Sequence, residues 1–312
     1  MDLDVLIINQ IKNENLNYPS SVKKIAILEL RGGLGNQLFI LNFIDFLEKN
    51  NFKVYSITNF YKSQENNSLK TDKRELYLDG DFLKLNTPGK IFSNFLSFIV
   101  NLPKQRNSFW RKALFKISKL FICYVDDSNL VQKIQSSKNI FFFDGYFQNF
   151  NLLQSNVQLI KKLSLDPKFK FNNSMIDSKL VAVHVRRRDY LNMSEELGVT
   201  YYQNALIYLK KTIGDFNFNV FTDDVEWCRN NSLFNDAISI KEATLENTID
   251  HFIEMTTYKY FIISNSTYSY MAAYLSTQVG KVVVEPKPWF TKLKYIEYDE
   301  ILNPNWKMIK NE

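Results

Sequence analysis

The 312-residue chain is 45% hydrophobic and 23% charged, an ordinary globular balance that excludes a disordered polypeptide, and its length suits about two domains. A net charge of +6 and a pI near 9.0 favour anionic partners (nucleotide phosphate, anionic lipid or nucleic acid) without choosing among them. Two distant cysteines, Cys123 and Cys228, and two histidines, His184 and His251, argue against a disulfide scaffold and a Cys- or His-based metal site, and fit a reducing compartment.

The opening segment MDLDVLIINQIKNENLNYPS lacks a basic start, and its apolar run is broken by Asn and Gln, so it reads as neither secretory signal nor anchor. No stretch reaches the ~18 uninterrupted apolar residues of a spanning helix. A cytoplasmic protein is expected, with peripheral attachment at the inner face of the membrane left open.

KKIAILEL, residues 23 to 30, reads as a buried strand. It enters the glycine turn RGGLGNQ and then the helical pattern LFILNFIDFLEKN, which is the opening of an α/β unit. FKVYSI, residues 52 to 57, follows as a second strand, and residues 60 to 75 read as a polar loop. Residues 90 to 120 carry seven basic side chains, Lys90, Lys104, Arg106, Arg111, Lys112, Lys116 and Lys119, and no acid. Within them Trp110, Leu114, Ile117 and Phe121 form one helical apolar stripe, which either packs on the N-terminal domain or lies on an anionic membrane. NIFFFDGYFQNF, residues 139 to 150, returns to strand character, and the region of Pro167 and KFKFNNSMIDS marks a domain boundary. Beyond it the strand–loop–helix rhythm restarts in LVAVHVRRRDY, FNVFTDDVEWCRNN and YFIISNSTYSYMAAYL. Ligands of open parallel sheets bind beyond the carboxyl ends of strands, so the segments at 184 to 189, 222 to 224 and 264 to 267 are expected to converge.

Each motif has a functional and a plain reading. In RGGLGNQ, Gly32, Gly33 and Gly35 either let the backbone approach a ligand closely or only make a tight turn, with Asn36 and Gln37 at the helix start. HVRRRDY ends a strand in three arginines, whose forks suit phosphate oxygens; the alternative is a solvated strand end with Asp189 pairing one arginine. In FTDD, Asp223 and Asp224 could hold Mg²⁺ or Mn²⁺, accept from guanine, or cap a helix, with Thr222 or Asp223 as the N-cap. The spacing favours base recognition by one aspartate and capping by the other. Ser264, Asn265, Ser266 and Thr267 open a helix as an uncharged anion cradle or as a capping run alone. His251 and Cys228 read as packing residues.

Taken together, GGLGNQLF, HVRRRDY, FTDDVEWC and SNSTYSYMAAYL, in this order, resemble the bacterial α-1,2-fucosyltransferases of O-antigen and blood-group-H-like glycan synthesis. WFTKLKY after VVVEPKP resembles the family's C-terminal segment, and the likeness spans residues 24 to about 292. It implies an α/β, GT-B-like fold of two Rossmann-like domains facing a central cleft, residues 1–172 on the acceptor side and 173–312 binding GDP-L-fucose. By the same resemblance, Arg186 and Arg187 contact the diphosphate and stabilise its departure. His184 and one of Asp223 or Asp224 contact guanine or ribose, and Ser264, Asn265, Ser266 and Thr267 contact phosphate. Gly33, Gly35, Asn36 and Gln37 lie near the transferring fucose. The chain departs from the family pattern in having Arg188 for a usual Gly, and Tyr270 and Met271 for Trp-Trp.

The resemblance further implies an inverting transfer to the 2-hydroxyl of a galactose-terminated oligosaccharide or lipid-linked glycan; the candidate bases, Asp189, Glu195 and Glu196, follow from their place after the arginine strand, and Glu195 and Glu196 match no family motif. No cofactor beyond the donor and no obligatory metal are expected. A non-catalytic sugar- or nucleotide-binding protein of the same fold is the rival reading. Nucleic acid is not an expected partner, because the basic residues do not interleave with stacking aromatics on a known module.

Overall fold

The structure, a computed structural model, describes residues 23–58, 60–61, 74–78, 98, 109–154, 159–171, 179–293 and 298–311. Contacts divide the chain into two compact units, Met1–Gly32 with Phe39–Leu159, and Gly33–Leu38 with Ile160–Glu312. The boundary expected at 172/173 falls among residues 172–178, outside the described residues.

The first unit is built on β1 (Lys24–Glu29), α1 (Leu34–Lys49), β2 (Phe52–Ile57), α2 (Phe109–Phe121), β3 (Ile122–Asp126), α3 (Leu130–Lys133), β4 (Ile140–Asp144) and α4 (Phe150–Gln154). Its strands form a parallel sheet in the order β2-β1-β4-β3. Parallel strands are covered on both faces, which is why Phe141, Phe142 and Phe143 can follow one another along β4 and all be buried. The aromatic run continues across the helix layer: Phe43 of α1 stacks on Phe147 at 3.9 Å and meets the edge of Phe143 at 5.3 Å. Helix α1 buries nearly its whole circumference, including Asn42, whose Nδ2 donates to the Leu152 carbonyl at 3.2 Å. The expected strands at 23 to 30, 52 to 57 and 139 to 150 are therefore present as β1, β2 and β4. β3 was not anticipated, because it follows the basic helix without a turn residue between them.

The second unit continues with α5 (Leu159–Leu163), β5 (Leu180–Val185), α6 (Arg188–Met193), α7 (Val199–Ile213), β6 (Asn217–Thr222), α8 (Val225–Arg229), β7 (Ser239–Glu242), α9 (Thr248–Thr256), β8 (Tyr260–Ile262), α10 (Thr267–Leu275), β9 (Val282–Lys287) and β10 (Lys307–Lys310). Its parallel sheet runs β10-β9-β8-β5-β6-β7. Strand order reverses between β5 and β8, giving the doubly wound pattern in which the crevice beyond that reversal receives the ligand. Both units are thus α/β with parallel sheets, as the Rossmann-like expectation required. Helix α7 covers the sheet with Tyr201, Tyr202, Ala205 and Leu209, one apolar face at helical spacing. Tyr201 satisfies its buried hydroxyl by donating to the Ile263 carbonyl at 2.6 Å. Among the described residues no helix is long and apolar enough to cross a membrane.

Between β8 and the edge strand β10, Glu285 of β9 is fully buried and accepts from the Asn303 amide at 3.0 Å. Burial pushes its carboxyl up to about 8. Between the unfolded glutamate range and about 8, the folded state keeps a proton that the unfolded chain releases, so stability falls as pH rises through that window. Glu285→Gln should therefore melt with the wild type at mildly acidic pH and above it in mildly alkaline buffer. Parallel thermal unfolding curves at both ends of the window check this.

Candidate functional site

The register of the second sheet aligns the ends of its central strands. His184 lies beside Phe221, Val185 beside Thr222, and Val183 beside Ile262. The segments that leave β5, β6 and β8 consequently meet at one place, as expected. His184 Nδ1 and Ser264 Oγ are 2.7 Å apart and join the two strands across the reversal in strand order. Burial, and secondarily Arg186, lowers the His184 pKa to about 3, so the ring is neutral at physiological pH.

The three arginines separate into different environments. Arg186 reaches Asp189 through Nε at 2.9 Å and Nη2 at 2.7 Å, and Asp223 through Nη1 at 3.0 Å. Asp223, only 4% exposed, also accepts from the Arg187 backbone amide at 2.8 Å. Burial works against charge on Arg186, but Asp223 and Asp189 outweigh it and hold the guanidinium protonated. Arg187 pairs through Nε with Asp224 at 3.2 Å and lays its guanidinium 4.1 Å over Trp227. Among the described residues this leaves the two terminal amino groups of Arg187 as an uncommitted planar donor pair. Arg188 begins α6 on the surface, where it meets Glu242 at 3.1 Å with both side chains about half exposed. An arginine at that position therefore extends away from the strand ends, and the departure from Gly does not add a third inward cation.

The aspartates after β6 are committed by the same contacts. Asp223 belongs to the arginine network: Oδ1 accepts from the Arg187 amide, and Oδ2 lies 3.0 Å from Arg186 Nη1. Asp224 accepts from the Trp227 amide at 3.1 Å and is the N-cap of α8, one residue after Asp223 and two after Thr222, the two positions expected. The shift has a plain cause: Arg186 and the Arg187 amide take the Asp223 carboxylate first. Among the described residues no group of three or more His, Cys, Asp or Glu side chains could hold a metal ion.

Ser266 is the N-cap residue of α10 and makes no side-chain capping bond, so the first-turn amides of that helix are not closed off by it. Ser264 is taken by His184, and Asn265 donates from Nδ2 to the Glu195 carbonyl at 2.7 Å. The Thr267 hydroxyl donates to Asn36 Oδ1 at 2.8 Å. Gly35 explains how Asn36 comes so near. A Cβ at position 35 would overlap the backbone of Thr267 and Tyr268, so the start of α1 rests directly on the start of α10. Gly33–Leu38 accordingly groups with the second unit. Gly33 closes the first helical bond of α1 by accepting from the Gln37 amide at 3.0 Å, and Gln37 is fully buried. The glycine loop thus brings two helix N-termini together, each carrying about half a positive charge.

The carboxylates after the arginine strand differ sharply. Glu195 is 1% exposed, and its oxygens accept from the amides of Thr291 (2.7 Å), Lys292 (2.5 Å) and Leu293 (2.7 Å) and from the Thr291 hydroxyl (3.0 Å). Burial pushes its carboxyl up, but those four donors together outweigh it and hold the pKa below the ordinary value. Such a group clamps a loop; the geometry does not support the proton-acceptor role expected of it. Glu196 by contrast has Oε2 buried without a hydrogen-bond partner. Burial raises the Cys228 thiol to about 11, and His251 meets the Phe221 ring edge-on at 5.7 Å, so both are packing residues. Tyr270 and Met271 are fully buried, with Tyr270 against Trp289 and Trp306.

Sequence reasoning missed Trp227 and Tyr190. Trp227 forms the platform under Arg187, and Tyr190 donates its hydroxyl to the Asn265 carbonyl at 2.9 Å while its ring meets Phe290 at 5.9 Å. Their signal was weak: each is a single aromatic inside a motif whose charged neighbours drew attention.

The family described as glycosyl transferase family 11 matches residues 87–310. A protein of Escherichia coli named alpha-1,2-colitosyltransferase is 26% identical over 296 residues, covering 88% of this chain and 96% of its own length. The O-antigen biosynthesis glycosyltransferase WbnK, also from Escherichia coli, is 29% identical over 176 residues, covering 49% of this chain and 56% of its own. Among solved structures, a mutant of Arabidopsis thaliana FUT1 in complex with GDP is 11% identical and matches 92% of this chain and 76% of that one, with a TM-score of 0.43.

The Glu195 clamp makes a prediction in both stability and pH. Because the folded pKa is depressed, the carboxylate stabilises the fold above the unfolded glutamate range, and that contribution is lost as pH falls through the folded value. Glu195→Gln should cost about 1.5–3 kcal/mol at neutral pH, the range for hydrogen bonds to a charged group. The deficit should shrink in acid, which urea unfolding at neutral and acidic pH measures.

Proposed function

The chain belongs to glycosyl transferase family 11, and from that premise we propose that it transfers a 6-deoxy-L-hexose, L-fucose in the first instance, from GDP to the 2-hydroxyl of a β-galactoside. The observation that carries the reading is the His184–Ser264 pair across the reversal in strand order, with Arg187 on the segment that leaves β5 and the abutting starts of α1 and α10 on the segment that leaves β8. A diphosphate needs directional donors more than bulk charge here, because three carboxylates already face Arg186 and Arg187. Arginine forks and helix amides supply such donors.

In this reading Arg187 and the helix starts stabilise the charge that develops on the departing nucleoside diphosphate. Arg186 keeps those groups in place rather than binding phosphate itself, since its contacts already go to Asp189 and Asp223. Neutral His184, with Ser264, contacts the nucleoside without adding charge. The donor is β-linked, so an α-linked product requires inversion and a proton acceptor for the attacking hydroxyl. We assign that role to Glu196, because a carboxylate oxygen buried without a donor is costly and a substrate hydroxyl would relieve the cost. No metal is required, the arginine and amide donors taking its place.

The name of the colitosyltransferase relative bears on the donor. Colitose is L-fucose without its 3-hydroxyl, so GDP-fucose and GDP-colitose test the same site at a single oxygen. A site that hydrogen-bonds that hydroxyl rejects the deoxy donor by about 10⁴-fold, whereas an apolar wall discriminates only weakly. An O-antigen or related surface glycan is the acceptor class this reading favours.

Incubation with GDP-fucose or GDP-colitose and a β-galactoside, in excess EDTA, should release GDP only when acceptor is present and yield an α-1,2-linked product. Binding without transfer would identify a non-catalytic sugar-nucleotide-binding protein, and restoration of turnover by Mg²⁺ or Mn²⁺ would assign a metal role. Two variants separate the parts. Arg187→Ala should weaken GDP binding by roughly ten- to a hundredfold, matching a charge-assisted contact. Glu196→Gln should leave GDP affinity unchanged and reduce kcat by at least about a hundredfold. Calorimetry with GDP and initial rates measure the two effects independently, and wild-type rates in Glu196→Gln would reject the base assignment.

A further inference from the structure

Helix α2 has two faces with opposite fates. Phe115 turns toward the sheet and meets the Tyr124 ring at 4.9 Å, while the Ser118 hydroxyl lies 2.9 Å from that of Tyr124. The other face holds Leu114, Ile117, Leu120 and Phe121, which are 44%, 55%, 71% and 67% exposed. Positions three, four and seven apart fall on one side of a helix, so these four side chains make a continuous apolar strip rather than scattered exceptions. Of the stripe read from the sequence, Leu114, Ile117 and Phe121 belong to it, and the side chain of Trp110 lies outside the described residues. The strip therefore does not pack on the first sheet; that sheet is served by Phe115.

Exposed Lys116 and Lys119 border the strip along one edge. Lys119 holds its ammonium 4.5 Å from the Phe115 ring. The surrounding stretch, residues 90 to 120, contains no acidic residue in a chain of net charge +6. A contiguous apolar strip beside cations matches one partner chemistry, an anionic lipid leaflet, in which apolar side chains enter the acyl boundary and lysines extend to the phosphates. A protein partner would meet the apolar strip but would need its own acidic rim to answer the lysines.

We propose that the outward face of α2 is a membrane-docking surface that seats Leu114, Ile117, Leu120 and Phe121 in an anionic leaflet, with Lys116 and Lys119 at the level of its phosphates. The surface goes beyond the proposed transfer reaction and does not rest on it. Docking would hold the enzyme at the plane where lipid-linked acceptors are found.

Flotation of the full chain with phosphatidylcholine vesicles, with and without phosphatidylglycerol, tests the surface in the absence of any sugar nucleotide. Binding is expected only with phosphatidylglycerol and should weaken as salt is raised. Because Ile117 and Leu120 are exposed, the double variant Ile117→Glu with Leu120→Glu should keep its circular dichroism and lose flotation. Lys116→Glu with Lys119→Glu should weaken binding on the order of tenfold or more. Wild-type protein that stays with the soluble fraction overturns the proposal, as do variants that float like the wild type. A wild-type dimer that the Ile117 and Leu120 changes dissociate, without vesicle binding, would instead assign the strip to a second copy of the chain.

Discussion

The interaction on which the candidate site depends is the buried network of Arg186 with Asp189 and Asp223. It ties the segment leaving β5 to the segment leaving β6 and to the first turn of α6. A buried cation is costly alone, and removing either carboxylate partner would strand the other charges in a medium that cannot solvate them. With the network complete, the Arg187 amide is held by Asp223 and its side chain lies between Asp224 and Trp227. One arginine is thus locked among carboxylates, and its neighbour is laid over an aromatic ring.

Around that network the site is assembled from backbone. Gly35 lets two helices begin against each other, and Asn36 and Thr267 fasten the contact with a side-chain bond. Oriented amides lose little on meeting a ligand, because they are already fixed by the helices behind them. The Glu195 carboxylate plays a corresponding part on the other side, gathering three successive amides of the 291–293 loop, while its own carbonyl receives Asn265. Charge around Arg186 and Arg187 is therefore locally balanced, each guanidinium being paired with a carboxylate.

Much of the α/β architecture was legible in the sequence. β1, β2, β4, β5, β6 and β8 are compact apolar runs, and polar or glycine-rich segments follow β1, β5, β6 and β8, a signal carried by adjacent residues. The order of strands was not, because parallel pairing joins residues far apart in sequence, as β5 with β8, and no local pattern records which strand lies beside which. β3 and β10 escaped for a related reason: they are short edge strands whose identity depends on a neighbour.

The sequence by itself determined where the candidate site would be assembled: the ends of three strands, the glycine loop and the polar helix start, since residue type and spacing are local properties. Only the tertiary structure decided which residue does what. Arg186, Arg187 and Arg188 are identical side chains in a row, yet chain direction sends one into a carboxylate network, one over Trp227 and one to the surface. Glu195 and Glu196 are equally indistinguishable on paper, and one meets a loop 96 residues away while the other keeps a buried oxygen without a partner. The physical reason is the same in each case. A side chain's role is set by the partners that long-range packing brings to it, and those partners are not its neighbours in the chain.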